Sequence, residues 1–532
     1  MTAYDYPLTI GKLLVTPIAQ KSAAPIVHRG RRFSYPEFVS RLHRLANVLA
    51  GAGIGAGDRV GVLDWDSHRY LECYFAVPMM GAVLMMANPR LAPEQLAYTL
   101  NHAGVKALLV HPDFIPLFQA VRDHVPSIKT VIAMSEDHRA PEGLCCLGAY
   151  EALLEQGAPH FDFPELDERG TATTFYTTGT TGLPKGVYFS HRQLVLHTLT
   201  LLSNIALASR NGRVDRETVY MPLTPMFHVH AWGFPFVATL GGLKQVYPGR
   251  YIPAEILRLI AEEGVTFSHC VPTILQMLLS APESARYDLS RWQVVIGGSA
   301  LPRGLYEAAR ARGIEIYAGY GLSETCPVLT VAQLKPGIEG EAEAAARISA
   351  GLPVVLAEIR TVDEAMRDTP PGVPGEIVAR TPSLTPAYAG ETEASRTLWR
   401  GGWLHTGDVG YFDEEGYLHI TDRIKDVIKS GGEWISSLAI ESLVSAQPGV
   451  AEVAVVGVPD PRWGERPLVL IVPKPGETVD DSQIREAIGL AINEGRLPRY
   501  AMPEHVRIVE ELPKTSVGKL DKKTIRARYG AG

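Results

Sequence analysis

A chain of 532 residues is too long for one hydrophobic core, and its length implies about two to four domains. With 46% apolar residues, 20% charged residues and a net charge of −7, it reads as a soluble globular protein without the broad basic surface that nucleic acid requires. Five cysteines spread over this length argue against a disulfide framework and fit free thiols in a reducing compartment.

The N-terminal MTAYDYPLTIGKLL carries an acid where a secretion signal needs bases, so a cytoplasmic protein is expected. GAGIGAG, Gly51 to Gly57, has the spacing of a dinucleotide fingerprint. It follows the helical pattern FVSRLHRLANVLA and precedes the strand RVGVLDW, the reverse of the order such a site needs, and is expected to be a helix-stop turn. The most apolar run, AVPMMGAVLMMA (Ala76 to Ala87), is shorter than the roughly 18 residues that cross a bilayer and reads as core. Cys145 and Cys146 are adjacent and lack metal-type spacing.

From about residue 170 to 330 strands and helices alternate. ATTFYTT, TVYMPL, VTFSHCV, WQVVIGG and IEIYAGYG are β-branched or aromatic strands, while RQLVLHTLTLLSNIAL, EILRLIAEE and LYEAARARG repeat their apolar residues at helical spacing. This alternation predicts parallel sheets covered by helices, with ligands at the strand ends. After Asp422 the texture changes. DRIKDVIKSGGEWIS is a charged, Gly-bearing connector, followed by the strands AEVAVVGV and RPLVLIVP, the helix SQIREAIGLAI and a polar tail. The expected fold is therefore α/β: a large N-terminal domain of layered α/β sheets (1–424) and a small, mobile α+β C-terminal domain (425–532).

The stretch YTTGTTGLPKGVYFSH, Tyr176 to His191, concentrates Thr and Gly around the single Lys185. It is no Walker loop, because Pro184 precedes the lysine and Gly186 follows it. Bare amides, hydroxyls and one ammonium nonetheless suit a phosphate, although the same composition also makes a solvated loop.

Downstream come YGLSET (Tyr320 to Thr325), GWLHTGD (Gly402 to Asp408), DRIKDVIKSGGEWIS (Asp422 to Ser436) and LPKTSVGKLDKK (Leu512 to Lys523). In this order and at these separations the motifs resemble the adenylate-forming superfamily of acyl-CoA synthetases, luciferases and peptide-synthetase adenylation domains, over essentially the whole chain. NPRLAPEQLAY near Asn88 and PMFHVHAW near Trp232 look most like medium- and long-chain fatty acyl-CoA synthetases. The resemblance implies an ATP-dependent acid–thiol ligase with magnesium and CoA. It would convert a hydrophobic, aliphatic acid to an acyl-AMP and then a thioester, with an aryl or cyclic acid, or another acceptor, as the alternative. Dimers are common in the family.

By the same resemblance, Thr177, Thr178, Gly179, Thr180, Thr181 and Lys185 hold the departing phosphates. Lys519 is the main catalytic residue, Glu324 the magnesium ligand and Thr325 the α-phosphate contact. Gly298, Ser299, Ala300, Gly319 and Tyr320 form the adenine pocket, and Asp408 and Arg423 take the ribose. His228 flanks the acyl entry and Trp232 matches a tunnel gate. Lys425 matches the hinge about which the small domain turns, bringing Gly431, Gly432 and Trp434 to the thiol channel. Bland readings stand beside these: Tyr320 and Trp232 as core, Asp408 as a turn acid, Glu324 as a surface acid and Lys519 as part of a solvated basic tail. The pair His228 and His230 has no third ligand at recognised spacing, which argues against zinc. His228 to Trp232 offers no aspartate to pair with an amino group, which argues against an amino-acid substrate.

Overall fold

The computed structural model of the protein describes residues 4–177, 183–208, 214–430, 433–515 and 518–530, and of Glu433 and Trp434 the backbone alone. Among the described residues the strands form four sheets. Two of them are mainly parallel, as the alternating pattern requires. One, six-stranded, runs in spatial order Thr130–Ala133, Val105–Val110, Arg59–Leu63, Val83–Met86, Thr171–Thr177 and Lys185–Ser190, with only the last pair antiparallel. The other, nine-stranded, holds Val219–Leu223, Phe267–Cys270, Gln293–Ile296 and Glu315–Gly321 as parallel neighbours at its centre. Both sheets share one continuous apolar core, in which Tyr35, Phe38, Tyr74, Phe75 and Trp292 are fully buried.

GAGIGAG is indeed a stop: the helix Tyr35–Gly51 ends there, Gly53 turns the chain at φ 78°, and the strand Arg59–Leu63 follows. The helix His191–Ala206 starts where Ser190 caps the backbone N–H of Gln193 and the Gln193 side chain accepts from the Ser190 N–H. All five cysteines are free. Among the described residues no helix is long and apolar enough to cross a membrane.

A four-stranded antiparallel sheet, Glu358–Val362, Gly375–Arg380, Leu404–Phe412 and Leu418–Arg423, leads to the smaller C-terminal domain. Two segments there differ from the sequence expectation. The connector DRIKDVIKSGGEWIS is mostly sheet: Ile428–Ser430 and Glu433–Ile435 pair as a hairpin and join the long ribbon of Val450–Asp460 and Gly464–Pro473. The polar tail is also structured. The strand His505–Ile508 adds in parallel to Gly464–Pro473, and the helix Lys522–Tyr529 buries Ile525 against Val456 and Leu468. Both elements are too short to show a period in the sequence, and each is stabilised by the ribbon it packs on.

The two domains are joined by specific contacts. Ser437 donates from its backbone N–H and its hydroxyl to the buried Asp422 carboxylate at 2.7 and 2.6 Å, and Ser436 donates to the Thr421 carbonyl. Gly304 lies so close to the Ser445 carbonyl that any side chain there would collide with it. Thr273 of the large domain donates to the Gly518 carbonyl of the small one at 3.0 Å.

Candidate active site

The last of these contacts sets the next residue, Lys519, into a cleft of the large domain. The lysine turn is closed locally by the Thr515 N–H donating to the Lys519 carbonyl at 2.7 Å. The cleft opens at the ends of the strands Gln293–Ile296 and Glu315–Gly321, its space, mouth included, being about 500 Å³. Gly298 follows the first strand at φ 78°, and a Cβ there would come within 3.0 Å of the Lys519 Cε and 3.1 Å of Val271. Only glycine leaves the ammonium room and accepts this backbone. Burial, reinforced by the nearby Arg423 charge, lowers the Lys519 pKa to about 8, while the carboxylates of Asp408 and Glu324 act in the opposite sense.

Asp408 is 4% exposed. Its carboxylate accepts from the Tyr320 hydroxyl at 2.8 Å and pairs with the Arg423 Nε at 3.0 Å across the paired strands Leu404–Phe412 and Leu418–Arg423. Burial raises its pKa, and Arg423, Tyr320, Lys519 and Lys425 hold it down. Gly319 and Tyr320 line the cleft wall, whereas Ser299 and Ala300 are exposed at its rim. The neighbouring Gly321 sits in a bulge against the Pro327 carbonyl that no side chain could enter.

Glu324 and Thr325 stand in the short turn Ser323–Thr325 but face different ways. The Glu324 carboxylate accepts from the Tyr388 hydroxyl at 2.6 Å. Thr325 is fully buried, and its hydroxyl accepts from the Leu322 N–H and donates to the Leu322 and Pro327 carbonyls. Ser323, which the sequence reading passed over, lines the cleft instead, and its hydroxyl makes no hydrogen bond to another described residue. Thr177 and Lys185 are opposite each other in the antiparallel pair Thr171–Thr177 and Lys185–Ser190. Thr178, Gly179, Thr180 and Thr181, like Gly431 and Gly432, lie outside the described residues, as does the Trp434 side chain.

The segment after Met226 enters the cleft in an unusual way. The Met226 peptide is pinned on both sides: Asp66 accepts its N–H at 2.8 Å, and the Tyr74 hydroxyl donates to its carbonyl. The chain then runs left-handed from Val229 through His230, Ala231 and Trp232 to Gly233, with φ between 45° and 78°. Consecutive non-glycine residues in this region are strained and persist only where the surroundings over-determine them. The result is that His228 and Trp232 line the cleft while His230 is fully buried among Phe175, Phe189 and Tyr74, its Nε2 2.8 Å from the Thr173 hydroxyl. Burial lowers the pKa of His228 to about 3, aided by the charges of Lys519 and Arg90, so the ring is neutral at neutral pH. Trp232 lies over Gly297 and leans on His269, with ring centroids 5.1 Å apart; Phe234, Val295 and Val331 complete an apolar wall.

Lys425 lies just past the last large-domain strand, where Val427 donates back to the Arg423 carbonyl at 2.9 Å. Arg526 of the terminal helix reaches the Lys425 carbonyl at 3.4 Å. No group of three or more His, Cys, Asp or Glu residues able to hold a metal occurs among the described residues.

The chain therefore brings an ammonium, a buried carboxylate, neutral polar groups and an apolar wall together in one interdomain cleft. A family described as AMP-binding enzyme matches residues 16–389, and its companion, AMP-binding enzyme C-terminal domain, matches residues 439–519. The chain is 42% identical over 522 residues to a long-chain-fatty-acid–CoA ligase of Thermus thermophilus, covering 96% of this chain and 93% of the relative. It is 34% identical over 512 residues to a medium-chain-fatty-acid–CoA ligase of Ectopseudomonas oleovorans, covering 94% and 91%. In fold it resembles the crystal structure of the anthranilate CoA ligase AuaEII in complex with anthranoyl-AMP, with a TM-score of 0.87 at 24% identity over 99% of both chains. The protein belongs to the AMP-binding enzyme family and is an ATP-dependent, AMP-forming acyl-CoA ligase.

Proposed function

We propose that this ligase activates a hydrophobic, medium- or long-chain aliphatic carboxylic acid, in the cytoplasm, in two steps divided by a rotation of the domain beyond residue 424. In the first, an oxygen of the acid attacks the α-phosphorus of ATP, the bond to the bridging oxygen breaks, and pyrophosphate leaves. The acid is already ionised at neutral pH, so no general base is required; the barrier is the approach of two anions. Lys519 meets that barrier by bridging carboxylate and α-phosphate oxygens. Thr177 to Thr181 and Lys185 hold the β- and γ-phosphates, Asp408 and Arg423 the ribose, and Gly298 to Ala300, Gly319 and Tyr320 the adenine. Its open hydroxyl makes Ser323, rather than the buried Thr325, the better α-phosphate contact.

Glu324 suits a magnesium ion that arrives with ATP, since one protein carboxylate plus phosphate oxygens is how this cation is usually held, and no all-protein cage exists among the described residues. The ion would supply positive charge at the phosphates. In the second step the small domain turns about Lys425, withdrawing Lys519 and presenting Gly431, Gly432 and Trp434 beside the channel for CoA. The thiol sulfur attacks the acyl carbon, the carbon–oxygen bond to AMP breaks, and the thiol proton passes to solvent. His228 flanks this entry, and Trp232 gates the acyl wall. A homodimer is the expected assembly.

The observation that carries this reading is the position of Lys519. A residue of the last 15 in the chain stands against Gly298, within electrostatic reach of both Asp408 and Glu324. The apolar wall and the two fatty-acid–CoA ligase relatives support an aliphatic substrate. The test is AMP formation from ATP and CoA across saturated and aromatic acids of graded length. Turnover rising with aliphatic chain length supports the assignment. Preference for aromatic acids moves it to the aryl-acid alternative, and absence of AMP with every acid contradicts it.

A further inference from the structure

Lys185 stands on a strand of the six-stranded sheet and Glu324 in the short turn Ser323–Thr325 beside the nine-stranded one, and one short segment, Thr385 to Ala389, ties them together. Its Thr385 N–H donates to the Glu324 carbonyl at 2.8 Å, and its Ala389 N–H donates to the Gly186 carbonyl at 2.9 Å. Between these two anchors stands Tyr388. Its hydroxyl donates to the Glu324 Oε1 at 2.6 Å, and its ring carries the Lys185 Nζ 4.9 Å from the centroid. The Tyr388 backbone is fixed in turn, its N–H donating to the Ser395 Oγ at 3.0 Å. Lys185 forms no ion pair with any other described residue, so the ring face is its visible support.

We propose that Tyr388 is a positioning residue that holds Lys185 and Glu324 in register across the phosphate site while keeping the two charges apart; this rests on the reading of that site given above. The physical case has two halves. An ammonium over a ring face is attracted by the quadrupole yet keeps its N–H donors for a phosphate. A carboxylate that accepts one phenol proton keeps its other oxygen for a cation, and its direction is fixed. Without the ring between them, Lys185 and Glu324 are free to pair and neutralise each other, removing a donor and a cation ligand together.

The test separates the hydroxyl from the ring and begins with binding. ATP affinity is measured by calorimetry with no acid present, with and without magnesium, for wild type, Y388F, Y388L, E324Q and Y388F/E324Q, each checked for an unchanged melting profile. Y388F is expected to weaken magnesium–ATP about tenfold or more, the usual worth of a hydrogen bond to a charged group, and to leave magnesium-free ATP unchanged. Y388L is expected to weaken both, because the lysine loses its platform. Adding Y388F to E324Q should cost nothing further. Thioester formation from supplied acyl-AMP should be unchanged in Y388F. Wild-type magnesium–ATP affinity in Y388F, a full Y388F loss on top of E324Q, or an equal loss in the thioester step would each overturn the role. Y388F leaves every backbone anchor intact, so it decides the matter if Y388L fails to fold. A wild-type protein that releases no pyrophosphate with any acid overturns the proposed function itself and this role with it.

Discussion

If Lys519 acts as an ammonium at the α-phosphate, adenylation must fail when that ammonium loses its proton. Burial beside Gly298 and repulsion from Arg423 bring its pKa to about 8, well below the ordinary lysine value near 10.4. The sign follows directly: the charge is present below that pKa and lost as pH rises through it. At pH 7 about nine-tenths of the lysines are charged and at pH 9 about one-tenth, so the rate should drop about tenfold between them. The quantity to follow is kcat/KM for ATP in the pyrophosphate-forming half-reaction, because it reports the free enzyme, before phosphate charge raises the lysine pKa again. The profile should be flat up to about pH 7 and then fall with a single limb near 8. The thioester step, started from acyl-AMP, should lack this limb, since the proposed rotation would withdraw the lysine from the site. A flat profile up to pH 10, or the same limb in the residual rate of Lys519→Ala, would refute the reasoning.

Other variants probe the rest of the cleft. Ser323→Ala should slow pyrophosphate release with no change in melting temperature, whereas Thr325→Val should lower thermal stability by about 1–3 kcal/mol, because it removes the hydroxyl that satisfies the part-buried Leu322 N–H. Melting curves and half-reaction rates on both variants check this. Asp408→Asn keeps the shape but not the charge that two ribose hydroxyls would meet; KM for ATP should rise about tenfold or more while KM for the acid stays put. His228 is neutral at neutral pH, so the rate should show no protonation limb between pH 5 and 7 that Phe at this position removes.

The sequence was most informative where backbone chemistry is local. Alternating patterns specified the parallel sheets, and the order of helix, glycine turn and strand disposed of the false dinucleotide motif at Gly51 to Gly57. The motif residues Asp408, Arg423, Tyr320 and Lys519 come from four separate stretches, yet the fold gathers them around one cleft. What stayed hidden depends on which way a side chain turns. Ser323 and Thr325 are two positions apart with the same chemistry, and only the capping of Leu322 by Thr325 decides which hydroxyl remains open. Tyr388 was invisible because its significance arises from contacts to Lys185 and Glu324, each more than 60 positions away in the chain. The left-handed run from Val229 to Gly233 could not be read either, since only the last of its five residues is a glycine that favours it. The two short elements of the C-terminal domain, His505–Ile508 and Lys522–Tyr529, form because the long ribbon offers them a partner.

The most direct measurement is the effect of Lys519→Ala on each half-reaction separately. Pyrophosphate release from ATP and acid should collapse by about a hundredfold or more, the usual scale for removing a group that stabilises developing charge, while conversion of supplied acyl-AMP and CoA to thioester should proceed near the wild-type rate. Equal losses in the two half-reactions would contradict the placing of this lysine at the phosphorus in the first step alone.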